Sequence, residues 1–444
     1  MYKEAMQMPP APGTDPKSHG LWAMTAPPPP ETAPLAGDGR ADARVDVVAV
    51  VGAGYTGLAA ALRLAGAGAR VTVLEAAGIG SGGAGRNVGL VNAGLWVMPD
   101  DIVAALGAEK GEGLLSLLGG APAEVFALVA RHAIACEATP NGTLHCAVGR
   151  AGRAEIEARA AQWQARGAPV HLLDADAARA MIGGGTYRGA LLDDRAGTIQ
   201  PLAYARGLAR AAMGAGAVIH TASPVRAAEE RAGGWVLRTD GGTLAADWII
   251  VATDAYSFGP WERLAREQVP LPYFNFATPP VPEALRQRIL PGLQGIWDTQ
   301  QVLTSLRYDA AGRLVFGSIG ALGGLAGVHE AYARRALARL FPELPPAPFE
   351  AGWFGTIGMT DDALPRFRRL ARNVLSISGY NGRGIGPGTV FGRLLADLVL
   401  GRIRPEEVPL PEREVTVPRW RAAQAAFYAA GSAAAHLVGE RRPG

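Results

Sequence analysis

Residues 45–75 read VDVVAVVGAGYTGLAAALRLAGAGARVTVLE. The first seven are an apolar, β-branched run with the length of a buried parallel strand. Gly52, Gly54 and Gly57 follow at G-x-G-x-x-G spacing, then an Ala/Leu-rich helical stretch, then a second strand at 70–74 closed by Glu75. Each residue type has a physical role. Gly52 permits the tight turn, Gly54 lets the backbone approach a pyrophosphate, and Gly57 lets helix and strand pack closely. The helix N-terminus, at Tyr55 and Thr56, offers unpaired N–H groups and a partial positive charge. Glu75, followed by Ala76, lies 18 residues past Gly57, where a carboxylate can accept the hydroxyls of a ribose. Strand, glycines, helix, strand and acid in this order predict a dinucleotide-binding unit rather than a βαβ unit with incidental turn glycines. The three glycines, Tyr55, Thr56 and Arg63 also argue against reading residues 47–64 as a membrane span.

The chain has 444 residues, 49% hydrophobic and 19% charged, enough for two domains and a sizeable core. A net charge of +3 is too small to indicate a nucleic-acid partner. Two cysteines, Cys136 and Cys146, make no disulfide framework. Together with His132 and His145 they lack the tight spacing of a metal site, so no metal is expected. The N-terminus has no basic region followed by an apolar core, and a cytoplasmic protein is expected.

Residues 1–44 read as an arm. Pro9-Pro10 and residues 27–30 favour extended chain, and Leu21, Trp22, Ala23 and Met24 form its one apolar cluster, with Trp22 expected to pack on the globule. Residues 77–94 form a glycine-rich loop whose most prominent polar side chains are Arg86 and Asn87. Helical patterns cover 100–132, 150–166 and 201–215. Strands are expected at 218–220, 225–229, 235–239 and 243–251, with Gly233-Gly234 and Asp240-Gly241-Gly242 as hairpin turns, giving a three-stranded meander that runs into ADWIIVATDAYS. Residues 313–316 read as a strand and 329–340 as a helix. A short strand at 375–378 leads through GYNGRGIGPGT into a helix, VFGRLLADLVLG, so a second glycine-rich turn feeds a helix N-terminus. A helix near 419–438 ends the chain.

These motifs resemble those of the D-amino-acid-oxidase-like FAD-dependent oxidoreductases, the glycine and sarcosine oxidase superfamily, and most nearly its gamma-glutamylputrescine oxidoreductase branch. The resemblance covers nearly the whole chain. It rests on Gly52 to Leu58, on Gly80 to Gly89 (with Ala84 and Val88 departing from the branch's usual Ser and Gly), on Ala252-Thr253-Asp254-Ala255-Tyr256, on Gly379 to Ile385, and on the Leu21 to Ala26 segment. It implies an α/β and α+β protein: a Rossmann-like FAD-binding domain plus an antiparallel-sheet substrate domain. The FAD domain would be discontinuous, from residues 45–95, 197–262 and 350–408. Residues 96–196 and 263–349 would form the substrate domain, and 409–444 a tail with a helix. Noncovalent FAD is implied, since no cysteine follows Cys146. Cofactor contacts implied beyond the first motif are Gly85, Arg86 and Asn87 beside flavin and pyrophosphate, Val225 at the adenine, Ala252 and Thr253, and Gly382, Arg383, Gly384 and Ile385 at the flavin N1–C2=O edge. There, donors at a helix N-terminus would stabilise the charge of the reduced ring.

The implied reaction is oxidation of a C–N bond of a primary or secondary amine by hydride transfer to flavin N5, followed by imine hydrolysis. The cofactor supplies the hard step and the protein orientation and electrostatics. Amino-acid-oxidising relatives carry an arginine just before a Thr-Asp pair to bind the α-carboxylate. Here Ile357 stands nearest that place before Thr360-Asp361, which points to an amine, unless Arg307 or Arg383 substitutes. Lysines occur only at Lys3, Lys17 and Lys110, so an oxygen-activating lysine above the flavin is not expected. Electrons could pass to O2 or to a quinone or carrier, as in a dehydrogenase. A catalytically silent flavoprotein is a further reading, and NAD as main ligand a weaker one. Tyr273, Phe274, Trp297, Trp353, Phe354 and Tyr380 are candidate pocket aromatics able to hold an ammonium, or core residues. Tyr380, Trp353 and Arg383 are the candidate catalytic set. Asp298 could orient a cation or cap a loop, and the seven histidines are expected to be structural or exposed.

Overall fold

The computed structural model describes residues 19–38, 47–231 and 233–439. The first eighteen residues of the arm with Pro9-Pro10, residues 39–46 with the first two of the quoted strand, and the last five residues lie outside the described residues.

The quoted stretch forms strand β1 (Val47–Val51), helix α1 (Tyr55–Ala65) and strand β2 (Arg70–Leu74). They belong to a six-stranded sheet with β3 (Val218–His220), β4 (Trp248–Val251), β5 (Arg366–Ala371) and β6 (Val374–Ser378), in the order β5-β6-β4-β1-β2-β3. All neighbours are parallel except β5 with β6. All five residues of β1 are buried, as expected of a strand covered on both faces. The second glycine-rich turn leads from β6 into helix α2 (Ile385–Val399). Thus β1 and β6, parallel strands separated only by β4, each run through glycines into a helix.

A second sheet has eight strands, ordered Ala351–Met359, Val269–Pro280, Arg313–Ile319, Thr304–Tyr308, Gly295–Asp298, Thr143–Cys146, Ala190–Asp193 and Val170–Leu173. It is antiparallel except where Gly295–Asp298 runs parallel to Thr143–Cys146. Period-two alternation divides its inner strands. Leu144, Cys146 and Ile296 enter one apolar core, and Thr143, His145 and Trp297 face a cavity. The mixed α/β architecture with a large, mainly antiparallel sheet agrees with the expected fold class.

Two boundaries differ from the sequence reading. The expected strand at 243–251 is two strands: Gly242–Ala246 closes the meander, and β4 joins the parallel sheet. Asp247 is the switch, its N–H donating to the Val47 carbonyl at 2.9 Å. Residues 350–408 also divide, because Ala351–Met359 pairs in register with Val269–Pro280 in the eight-stranded sheet.

The described part of the arm is built in. Leu21–Thr25 is a short helix, and Trp22 is fully buried against Trp353, ring centroids 5.3 Å apart. Trp22 Nε1 donates to the Asn87 carbonyl at 2.9 Å, and Gln200 Nε2 donates to the Trp22 carbonyl at 3.1 Å. At the other end, helix Arg421–Val438 buries Ser432, Ala433 and His436. Residues 108–131 form the one helical stretch among those described that is long and apolar enough to cross a membrane, with mean hydropathy 1.7. It breaks at Gly120 into Ala108–Gly119 and Ala121–Arg131, which share a core with α2.

His19 is buried beside Gly80, Nε2 lying 3.3 Å from its carbonyl. Burial, then the Arg86 guanidinium, lowers its pKa from 6.5 to about 4. His436 is lowered to about 3 by burial, His329 and Arg335. Both are neutral in the fold while the unfolded chain takes up protons first. Their contribution is therefore complete above pH 6.5 and is lost as pH falls towards 4. The thermal midpoint should fall through that window, and fall less steeply in His19→Gln, which keeps an N–H donor but does not titrate. Equal slopes in the two proteins would contradict this account.

Candidate active site

Helices α1 and α2 pack parallel, Gly388 against Tyr55 and Thr56, Gly392 against Thr56, Ala59 and Ala60. A Cβ at Gly392 would overlap the Thr56 carbonyl, and one at Gly57 the Gly52 carbonyl. The two N-termini consequently open at the same end, beyond the carboxyl ends of β1 and β6, where ligands bind in open α/β sheets. There the glycines have space. A Cβ at Gly54 would meet only Ala84 Cβ, at 3.8 Å, and one at Gly384 nothing within 4 Å. Two helix N-termini opening into unfilled space suit an extended anionic ligand.

The surrounding loops are fixed by named bonds. Glu75 is half-buried at the end of β2 and accepts from the N–H groups of Ala53 (2.7 Å) and Ala77 (2.9 Å). Burial raises its pKa, and those N–H groups oppose the rise. Ala76 lies between it and Ala77. Tyr55 Oη donates to the Ala84 carbonyl at 2.5 Å and receives a bond from Asn87 Nδ2 at 3.1 Å. Asn87 also donates to Gly83 O and accepts from Gly89 N, so its side chain shapes the loop around Gly85 from within. Arg86 donates to the carbonyls of Ser81 (2.9 Å) and Phe354 (3.1 Å). Ala252 and Thr253 follow β4 beside Gly52, and Thr253 Oγ1 lies 2.6 Å from Ser257 Oγ. Val225 is buried, its carbonyl facing Gly259. Asp254 accepts the Gly379 N–H at 2.7 Å, pinning the second glycine turn. In that turn Gly382 has φ +86°, and a Cβ there would touch Ile357 at 3.2 Å and approach Trp96 Nε1 at 3.6 Å.

The candidate catalytic residues separate. Arg383 alone lines the cavity, together with Asn92, Thr143, His145, Arg159 and Trp297. Its guanidinium lies against the rings of both Trp96 (4.7 Å) and Trp297 (4.6 Å), and its Nη1 donates to the Ala93 carbonyl at 3.0 Å. Burial, then Arg159, lowers its pKa to about 9. Trp353 is not at the cavity: it is fully buried against Trp22, Nε1 donating to the Arg86 carbonyl at 3.1 Å. Tyr380 is also tied elsewhere, its hydroxyl 2.7 Å from Thr56 Oγ1 and donating to Ile377 O at 3.0 Å. It is a positioning residue joining the two glycine turns. Among the other aromatics, Phe274 and Phe354 pack in or against the core, and Tyr273 lies 2.6 Å from Ser305 Oγ. Asp298 is buried and caps a turn, accepting from the N–H groups of Gln300 and Thr304. Arg307 bonds the carbonyls of Tyr308 and Ile199 and pairs with Glu137.

The sequence reading missed His145, Arg159, Asn92 and Trp96. His145 stacks on Trp297 with ring centroids 3.4 Å apart, and burial, Arg159 and Arg383 push its pKa well down. Arg159 holds the carbonyl of Trp96 at 2.7 Å. The available signal was Thr143-Leu144-His145-Cys146, an alternation that puts two polar side chains on one face of a strand. Among the described residues, no group of three or more His, Cys, Asp or Glu side chains could hold a metal.

Residues 47–398 match the family model of DAO, the FAD-dependent oxidoreductases. The chain belongs to the DAO family. It is 33% identical over 360 residues to gamma-glutamylputrescine oxidoreductase of Escherichia coli (strain K12), covering 80% of this chain and 83% of that one. The crystal structure of glycine oxidase from Geobacillus kaustophilus superposes with a TM-score of 0.66 at 23% identity, covering 81% and 95%. That of L-proline dehydrogenase from P. horikoshii superposes with a TM-score of 0.65 at 17% identity, covering 84% and 96%. The protein is thus an FAD-dependent oxidoreductase of amines or amino acids.

The residues present fit FAD. The open space at Gly54 and Gly384 suits its anionic and electron-accepting ends, and Glu75 stands at the end of β2 for a ribose. In this DAO-family chain, Gly54→Val adds atoms only to open space and should leave a folded protein without FAD. Gly57→Val drives a side chain into Gly52 and should lower the thermal midpoint as well. Circular dichroism and the flavin released by acid check both; full flavin content in Gly54→Val would contradict the placement.

Proposed function

We propose that this chain oxidises the C–N bond of a primary or secondary amine, with FAD held noncovalently. One observation carries the reading. Arg383 has its backbone in the glycine turn that opens α2 and its side chain in the cavity beside the eight-stranded sheet. One residue therefore links the cofactor loop to the place where a small molecule can sit. The name of the Escherichia coli relative supports an amine. Noncovalent binding is supported by Cys146, which faces the core of the large sheet.

FAD, when bound, supplies the two-electron acceptor. The protein's part is to bind and orient. Trp297 and His145, stacked with ring centroids 3.4 Å apart, give the cavity a flat wall. An amine must lose its proton before it can be oxidised, and burial beside cations disfavours the ammonium form. Arg159 and Arg383 supply that field. Neutral His145 adds no further charge.

A dehydrogenase passing electrons to a quinone or carrier is the second reading, and Lys110 favours it. Lys110 donates to the Val408 carbonyl at 2.9 Å, on the helix Ala108–Gly119 and outside the cavity lining. The other two lysines lie outside the described residues. If amines reduce the enzyme, an anaerobic panel of primary and secondary amines should bleach its yellow colour. Air should then restore it rapidly for an oxidase, and slowly for a dehydrogenase. Failure of every amine to bleach the flavin would leave the silent-cofactor reading in its place.

A further inference from the structure

The helix Arg421–Val438 is apolar on two faces, and the fold covers only one of them. Its inner face buries Ser432, Ala433 and His436. Its outer face, begun by the preceding residue, carries Trp420, Ala423, Phe427, Ala430, Ala434 and Val438. That spacing of three and four residues makes one stripe along a helix. All six are exposed, Trp420 to 66%, Phe427 to 73% and Val438 to 61%. Among the exposed residues of the helix, Gln424 is the one polar side chain. The helix is held so that this stripe cannot turn inward. His436 Nδ1 lies 2.7 Å from His329 Nδ1, and its Nε2 lies 3.2 Å from Ser318 Oγ. Its ring stacks on Tyr332 with centroids 3.9 Å apart. At the other end Arg421 Nε donates to the Gln268 carbonyl at 2.7 Å.

A helix that is apolar all round is ordinarily covered, and a continuous apolar stripe with Trp and Phe on it marks an interaction surface. A second copy of the chain is a poor fit for two reasons. Eighteen residues make a helix about 27 Å long and about 10 Å across. Its outer strip is on the order of 300 Å², against the roughly 800 Å² that each side of a stable interface buries. Charge is the second reason. The sequence has no Asp or Glu between Val415 and Gly439. Arg419 and Arg421 flank Trp420, the Arg419 guanidinium 5.3 Å from its ring. Arg421 also donates to the Ala265 carbonyl, next to Arg266, which pairs with Glu262 at 3.4 Å. At the far end Arg335 donates to the carbonyls of His436 and Gly439, and the sequence continues Glu440-Arg441-Arg442. Both ends of the helix are basic, so two copies paired along it in either direction would set like charges together.

An anionic bilayer fits the same features. A helix lying in the membrane plane buries an apolar face at the boundary of headgroups and acyl chains, and its binding grows with apolar area and with attraction to acidic lipids. Tryptophan suits headgroup depth, and each arginine near an acidic surface adds to the attraction. We infer that the outer face of Arg421–Val438 docks the folded protein on an anionic lipid surface. Phe427 and Val438 enter the acyl boundary, and Trp420 and Arg419 lie among the headgroups. The helix rests on the membrane without crossing it, because its inner face stays packed on the large sheet. This surface does not depend on the amine reading.

Co-sedimentation of the FAD-loaded full chain with vesicles tests it. One set holds phosphatidylglycerol and phosphatidylcholine in equal parts, the other phosphatidylcholine alone. At low salt the protein should bind the anionic vesicles at least tenfold more tightly, and added salt should weaken that binding. Phe427→Ser should weaken it tenfold or more, and Arg419→Gln several-fold. Both side chains are exposed, so flavin content and the thermal midpoint should stay unchanged. No binding to anionic vesicles by the unaltered protein, or equal binding to both sets, would overturn the inference, and that comparison needs no variant. Unweakened binding by a folded Phe427→Ser would overturn it too. A dimer that Phe427→Ser converts to monomers, with no vesicle binding, would make a second copy the occupant and overturn the lipid surface.

Discussion

The contact between Gly392 and the Thr56 carbonyl governs the rest of this structure. Without a side chain at 392, α2 can lie directly on α1; with one, the two helices would have to separate. Their close parallel packing brings two helix N-termini to the same end of the sheet. Each terminus carries unpaired N–H groups and a partial positive charge. The dipoles repel weakly when parallel, and an anionic ligand across both ends offsets that repulsion. Tyr380 makes the alignment more than a matter of packing, since its hydroxyl reaches Thr56 Oγ1 from the second turn.

Two arginines connect the same end of the sheet to the large sheet. Arg86 joins the first glycine loop to Ala351–Met359 through the Phe354 carbonyl, and Trp353 returns a bond to the Arg86 carbonyl. Trp22 packs against that tryptophan from the arm, so a segment distant in sequence stiffens the loop over the first helix. Arg383 makes the second connection, with its backbone in the second glycine turn and its guanidinium against the rings of Trp96 and Trp297. Each glycine turn is therefore tied to the large sheet by an arginine.

The parts legible in the sequence were local. Strand β1, the glycines, α1 and β2 are contiguous, and period and turn chemistry suffice to read them. The second glycine turn was legible for the same reason. The break at Asp247 was not, because the residues on both sides are equally strand-forming and only the partner, Val47 on one side and the meander on the other, separates them. Trp353 and Tyr380 lie in the right segments but bury their side chains, and sequence proximity to a motif does not fix where an aromatic ring points. The cavity was least legible. Its face is a row across strands 143–146, 190–193 and 295–298, completed by Arg159 on a helix, and no window of sequence contains that row.

The central claim is that one extended anion lies across both helix N-termini. A crystal structure of the protein with FAD tests it most directly. The account predicts the pyrophosphate against Gly54 and the N-terminus of α1, and the isoalloxazine edge against residues 382–385. A pyrophosphate bound away from Gly54, or a flavin making no contact with the N-terminus of α2, would contradict it.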